Sequence, residues 1–244
     1  DVYLRTQPTR IKNGQIEFVG DSEEAEEILL VTRLLPEDRS LFELLRSGNL
    51  RMEDYVHLGT QLARCERNFV LGEEIYQGNL ESNVVGRYQD IVQWTQSAEE
   101  DIPEWRIYTD VLEKVLGKLQ RTELVPTFDI HLLNIFYIND IFYPFDTSPP
   151  KEEWKMGPWP INLYRAATDI LVFAGVEAFD AFSSGYYEDI QKPQIQSDNK
   201  DVYVLYALLI QTAYMYNLGK SSPDKRVAAM LYHNFLREWV QKFK

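Results

Sequence analysis

The stretch from residue 127 to residue 146 reads T-F-D-I-H-L-L-N-I-F-Y-I-N-D-I-F-Y-P-F-D, and its second part is two short apolar-aromatic runs, 135–138 and 141–145, hinged on Asn139-Asp140. Asn and Asp tolerate the left-handed backbone that a two-residue hairpin turn demands, so this spacing predicts a tight β-hairpin. Closing that hairpin returns Asp146, at the end of its second strand, to the neighbourhood of Asn134, immediately before its first. Asp129 lies five residues ahead of Asn134 and is directed to the same cleft.

The hairpin must be housed in a body of another kind, because the sequence around it has mostly helical periodicity. Strand patterns come first, over 2–11, 15–19 and 28–34, with Asn13-Gly14 as a turn signal. Helical patterns follow, directly after Pro36–Ser40 and then over about 52–68, 83–97, 103–120, 162–182, 201–218 and 223–243. Gly219 is placed to end the penultimate helix. Ser222-Pro223-Asp224 has the N-cap, first-turn proline and early acidic residue of a helix start. The hairpin is expected to sit alone among these helices.

Asp129, Asn134 and Asp146 form a set suited to phosphoryl transfer. That reaction asks the protein for a carboxylate that orients the attacking hydroxyl and accepts its proton, and for oxygen ligands that hold Mg²⁺ against phosphates. Asp129 can fill the first role; an amide oxygen from Asn134 and a carboxylate oxygen from Asp146 suit a hard, partly hydrated ion.

The same residues resemble a family, the aminoglycoside phosphotransferase-like kinases, which share the protein-kinase fold and whose catalytic loop usually reads H-G-D-L-H-x-x-N. Here Asp129, His131 and Asn134 match in place, while Thr127 and Phe128 stand for the leading His and Gly. Pro144-Phe145-Asp146 is similar to the family's strand with a metal-binding Asp at its end. Ala166-Ala167-Thr168-Asp169-Ile170-Leu171 is similar to a following helix whose aspartate braces the loop, and 34–45 resembles the R-x-L-P-E-D-R-x-L-x-x-L-L segment after the hinge. The resemblance implies an α+β, protein-kinase-like fold, with a short N-terminal β region and a large, mostly helical lobe carrying a catalytic β-hairpin. Residues 1–35 would be partial N-lobe strands and hinge, and 36–244 the helical C-lobe. It implies ATP and Mg²⁺ as cofactors and transfer to a hydroxyl of a small molecule, with Asp129 as base and Asn134 and Asp146 on the metal.

Two departures bear on that reading. No glycine-rich phosphate loop with a strand lysine is evident before residue 30, and Lys12 sits at the Asn13-Gly14 turn, the wrong place for a buried phosphate clamp. Phe128 in place of Gly carries a Cβ into a position where the family uses glycine's freedom, which predicts backbone strain and a reshaped loop. The alternative function is therefore a catalytically silent kinase-like domain serving as a protein-interaction or structural module with a protein partner. On that alternative the aspartates are remnants, or simply turn residues at strand ends.

Composition narrows the remaining classes. The formal charge of −13 argues against binding nucleic-acid phosphates, which needs clustered Lys and Arg, and suits a cationic small substrate. No apolar run is long enough for a membrane span; the longest, 202–210, is expected to be a buried helix. One cysteine, Cys65, excludes an internal disulfide and favours a reducing, cytoplasmic setting. It lies on the pattern Met52, Tyr55, Leu58, Leu62, Cys65, Phe69, read as an inward helix face. His57 and His233 are isolated and read as surface or packed residues, and His131 as a group that orders the loop. The proline-rich segment 147–160 would shape a substrate cleft, with Glu152, Glu153, Trp154 and Trp159 as candidate contacts.

Overall fold

The computed structural model describes residues 3–12, 15–18, 27–32, 34–68, 96–116, 124–145, 156–190 and 197–244. Three antiparallel strands, β1 (Tyr3–Lys12), β2 (Gln15–Phe18) and β3 (Glu27–Thr32), form a sheet in the order β2-β1-β3. Lys12 is the last residue of β1 and pairs with Gln15. The remainder is mostly helical, so the α+β class expected from the sequence holds.

Helix α1 (Leu41–Ser47) is defined by its ends. Ser40 Oγ accepts the Glu43 N–H, and Gly48 closes the last turn at φ 66°. Helix α2 (Met52–Asn68) buries Tyr55, Leu58 and Leu62, with Cys65 packed against the core. Met52, the first residue of the helix, belongs to the expected inward face but is exposed, and burial begins at Asp54 and Tyr55. Phe69, the end of that pattern, and the expected helix over 83–97 lie outside the described residues, apart from a 3₁₀ turn at Gln96–Glu99. Helix α3 (Trp105–Leu116) follows.

The hairpin is present as β5 (Ile135–Ile138) and β6 (Ile141–Pro144), in register from Ile135↔Pro144 to Ile138↔Ile141. Asn139 and Asp140 take φ of 51° and 60°, the two positive values of a type I′ turn. The hairpin is not alone: β4 (Leu124–Pro126) and β7 (Met156–Pro158) make a second two-stranded sheet on either side of it in sequence.

Helices α4 (Pro160–Ala174) and α5 (Val176–Ile190) replace the single helix expected over 162–182. Gly175 separates them with φ 88° and ψ −177°, a conformation essentially reserved for glycine, and its N–H caps Leu171 O. Helix α6 (Ser197–Gly219) is buried through residues 202–213, as its continuous apolar run requires. Helix α7 (Pro223–Val240) starts at the expected proline, although the Ser222 side chain makes no capping bond. Among the described residues no helix is long and apolar enough to cross a membrane.

The tightest crossing joins α2 to α5. A Cβ built on Gly59 would lie 2.0 Å from Phe182 O, and one on Gly185 would lie 2.0 Å from Val56 O. Both positions require the missing side chain so that the backbones can touch. Helix α4 runs through the centre, with every residue from Pro160 to Val172 buried.

Candidate active site

A helix buried on all sides has no solvent for polar side chains, so Asn162, Arg165 and Asp169 on α4 must find partners inside. Spaced i, i+3 and i+7, they share one face, and all three grip the loop between β4 and β5. Asn162 Oδ1 accepts the Phe128 N–H at 3.0 Å, and its Nδ2 donates to Pro126 O at 2.9 Å and to Glu66 Oε2 at 3.2 Å. Arg165 Nη2 donates to Asp129 Oδ1 at 2.9 Å. Asp169 Oδ2 accepts the Leu132 N–H at 2.8 Å.

The loop also holds itself. Asn134 Nδ2 donates to Asp129 O at 3.0 Å and Asn134 N to His131 O at 2.8 Å. His131 Nδ1 accepts the Leu133 N–H at 3.3 Å, and its ring packs edge-on against Tyr214. From the other side, Phe42 N at the start of α1 donates to Leu132 O at 3.1 Å. Gln61 of α2 ties down the hairpin tip, donating to Asp140 O and accepting the Phe142 N–H.

Asp129 and Asn134, two of the three residues singled out from the sequence, are thus brought together. Phe145 N donates to Asn134 O at 2.8 Å, so the hairpin delivers the residue preceding Asp146 to Asn134, as its geometry predicts. Asp146 itself lies outside the described residues, as do Glu152, Glu153 and Trp154. Trp159 is not a cleft residue: it is buried and stacked on Tyr186 with ring planes 8° apart.

The expected strain at Phe128 is absent. The only non-glycine residues with positive φ among the described residues are Asn139 and Asp140. Phe128 is not among them, and it has a buried ring and an N–H fixed by Asn162. A loop held from α4 does not need glycine's freedom at this point.

Electrostatics separates the groups by burial. Asp169 is wholly buried, which pushes its carboxyl up to about 6, against the pull of Tyr232, Gln211, the Leu132 N–H and Arg165. Burial drives His131 down to about 4, so it is neutral at pH 7, with Nε2 3.9 Å from Asp129 Oδ2. Asp129 keeps a side chain 30% exposed in front of these buried partners. His57 is exposed, and His233 lies between the Tyr108 and Tyr216 hydroxyls, so both are packing or surface residues. Burial also raises the Cys65 thiol, which is that of a packed side chain rather than a nucleophile.

The donor set suits a hard cation in kind. Asn134 carries an amide carbonyl oxygen, a ligand of the kind such an ion takes, and its Nδ2 is bonded to Asp129 O. Among the described residues no group of three or more His, Cys, Asp or Glu is able to hold a metal; a Mg²⁺ site here would draw on Asn134 with Asp146.

Sequence reasoning missed Asn162 and Arg165. Their signal is visible in P-I-N-L-Y-R-A-A-T-D-I-L-V-F: isolated polar residues on one stripe of an otherwise apolar helix.

No protein-family model and no curated protein sequence matches the chain. Solved structures do. A glucosamine kinase is similar over 96% of this chain and 64% of its own length, with TM-score 0.54 and 15% identity. A second crystal form of glucosamine kinase gives TM-score 0.51 and 16% identity over 89% of this chain and 58% of that one. A spectinomycin phosphotransferase in its AMP-bound complex is similar at TM-score 0.44 and 18% identity, over 81% of this chain and 67% of that one. The chain thus spans under two thirds of the length of the glucosamine kinase structures, and it shares their kinase-like fold.

Proposed function

We propose that the protein is an ATP-dependent phosphotransferase acting on a hydroxyl of a small molecule, with Asp129 as base and Asn134 and Asp146 as Mg²⁺ ligands. The observation that supports this most is a solvent-facing carboxylate on a loop whose backbone is fixed from behind by one buried helix. Residues 1–35 then correspond to part of an N-lobe and hinge, 36–244 to the helical lobe, and β5–β6 to the catalytic hairpin. The name glucosamine kinase describes a protein acting on an amino sugar, and a net charge of −13 suits a cationic acceptor of that kind. A cytoplasmic setting, where ATP is abundant, fits the same reading.

In this mechanism an Asp129 carboxylate oxygen accepts the hydrogen bond of the acceptor hydroxyl and aligns its lone pair with the γ-phosphorus. The hydroxyl oxygen forms the new O–P bond as the P–O bond to ADP breaks, its electron pair leaving on the ADP oxygen and the hydroxyl proton passing to Asp129. Mg²⁺, when bound, neutralises the charge of the phosphates. Asn134 keeps the loop closed through its bond to Asp129 O, so the base cannot drift relative to the metal side of the site. His131, neutral and buried, contributes shape and a hydrogen bond rather than a proton.

The test is ATP-dependent phosphorylation of a panel of amino sugars and amino alcohols by the full-length protein. Asp129→Ala and Asp146→Ala are each expected to abolish transfer, and full activity in either variant would refute the assignment. A wild-type protein that neither binds nor consumes ATP would establish the silent, protein-binding module in its place.

A further inference from the structure

Arg165 is held in a way that its packing role does not account for. It stands on the buried helix α4 and is only 8% exposed. Its guanidinium has five N–H donors, yet among the described residues its one hydrogen-bond acceptor is Asp129 Oδ1 at 2.9 Å, and its buried Nε has none. Buried cations are ordinarily paired and hydrogen-bonded on most of their donors, because an unmade bond there keeps its full desolvation cost. Asn162 and Asp169, its neighbours on the same face, follow that rule, each making several bonds to the loop and its surroundings.

The position of the unmatched charge is specific. Arg165 touches the same carboxylate that would orient the acceptor hydroxyl. A hydroxyl bound to Asp129 lies about 2.7 Å from its oxygen, and the reacting phosphorus lies about 3 to 3.5 Å beyond. The transferred group is therefore centred about 6 Å from the carboxylate oxygen, on its solvent side, and Arg165 would meet its equatorial oxygens by extending past the carboxylate it already touches. Planar, always charged and weakly hydrated, a guanidinium is the side chain best matched to such oxygens.

We propose that Arg165 is a second catalytic residue, a cationic group supplied from helix α4 that binds an oxygen of the transferred phosphoryl group while Nη2 stays on Asp129. This rests on Asp129 being the base. It gives the Asp129–Arg165 pair two states: a closed ion pair in the empty site, and a shared arrangement in which the phosphoryl oxygens take the donors the protein leaves over. The charge spread over those oxygens in a loose transition state is what such a cation stabilises.

The experiment uses the full-length protein and two readouts. Titration with inorganic phosphate, followed by ³¹P NMR, probes the anion site without any turnover. Wild type is expected to bind phosphate, Arg165→Gln to bind it at least about tenfold more weakly, and Arg165→Lys to fall between them. Asp129→Asn, which removes the competing carboxylate, is expected to bind phosphate more tightly. In the transfer assay Arg165→Gln is expected to lower kcat by about 10³-fold with little change in acceptor KM, and added guanidinium ion to restore part of the loss. Wild type that binds no phosphate, or binding that Arg165→Gln and Asp129→Asn both leave unchanged, overturns the proposal even if transfer is intact. Phosphate binding that depends on Arg165 in a protein that transfers nothing supports the anion site and sinks the phosphotransferase reading instead. If Arg165→Gln does not fold, Asp129→Asn decides alone, with tighter phosphate binding supporting the role and unchanged or weaker binding overturning it.

Discussion

Removing the Asp169 carboxylate isolates what holds the loop. Three groups donate to it: Leu132 N–H at 2.8 Å, Gln211 Nε2 at 2.9 Å, and Tyr232 Oη–H at 2.6 Å. Asp169→Ala leaves all three donors buried without an acceptor, at about 1 to 3 kcal/mol each, so about 6 kcal/mol is lost. Part is recovered, because the carboxylate itself is costly to bury. Its folded pKa of about 6 stands above the ordinary carboxyl value of 3.8, and about two pKa units correspond to about 3 kcal/mol. The net destabilisation at pH 7 is therefore about 3 kcal/mol. A folded pKa above the unfolded one means that the stabilisation is fully present below the unfolded value and is lost as pH rises through the folded value. Wild type accordingly gains relative to the alanine variant as pH falls from about 6 to about 4, and the difference between them grows toward about 6 kcal/mol. Urea unfolding followed by tryptophan fluorescence at pH 7 and pH 4 measures both numbers. A difference under about 1 kcal/mol at pH 7, or one that shrinks on acidification, would show that Asp169 is not the brace.

Gly59→Ala and Gly185→Ala each drive a methyl group to within 2.0 Å of a backbone oxygen across the α2–α5 crossing. Relief requires the helices to separate, so each change should cost about 3 kcal/mol, outweighing the gain of about 1 kcal/mol in helix propensity; thermal unfolding at or above the wild-type Tm in either variant would contradict the close approach. His131 carries the opposite pH signature to Asp169. Its folded pKa of about 4 lies below the ordinary imidazole value of 6.5, so its contribution is present above pH 6.5 and is lost as pH falls toward 4. Replacing it with Gln should remove about 3 kcal/mol of acid sensitivity, read from the slope of stability between pH 7 and 4, and an unchanged slope would mean that His131 is not buried in neutral form.

What could be read from the chain follows the range of the forces involved. The β5–β6 hairpin was legible because alternation and an Asn-Asp turn are local, and α2 and α7 because their periodicity and start signals are local too. The break at Gly175 was not, since an isolated glycine in a helical pattern is tolerated as often as it terminates, and only the packing of α5 on α2 decides it here. Strands β4 and β7 escaped because Leu124–Pro126 and Met156–Pro158 are too short for a pattern, and each contains a proline. Met52 was misassigned because periodicity does not say where the core ends. Asn162 and Arg165 fell outside the catalytic set because the motif draws attention to the loop, while the support comes from a helix more than thirty residues later.

That distance explains how the loop dispenses with the leading His and Gly of the family pattern. The hydrogen bonds that a buttressing histidine and a permissive glycine would otherwise provide come from side chains on α4: Asn162 on either side of Thr127, Arg165 at Asp129, Asp169 at Leu132. A buried helix is a stiffer support than a loop histidine, since moving any one of these side chains means moving an element packed on every face. Thr127 and Phe128 are accordingly changes in how the loop is held, and they take nothing from the groups that would meet a substrate. Whether the site is active or silent then turns on Asp129, which on the proposed reading would be the base of a phosphoryl transfer and is the partner of the buried Arg165 guanidinium, for which a phosphate would compete.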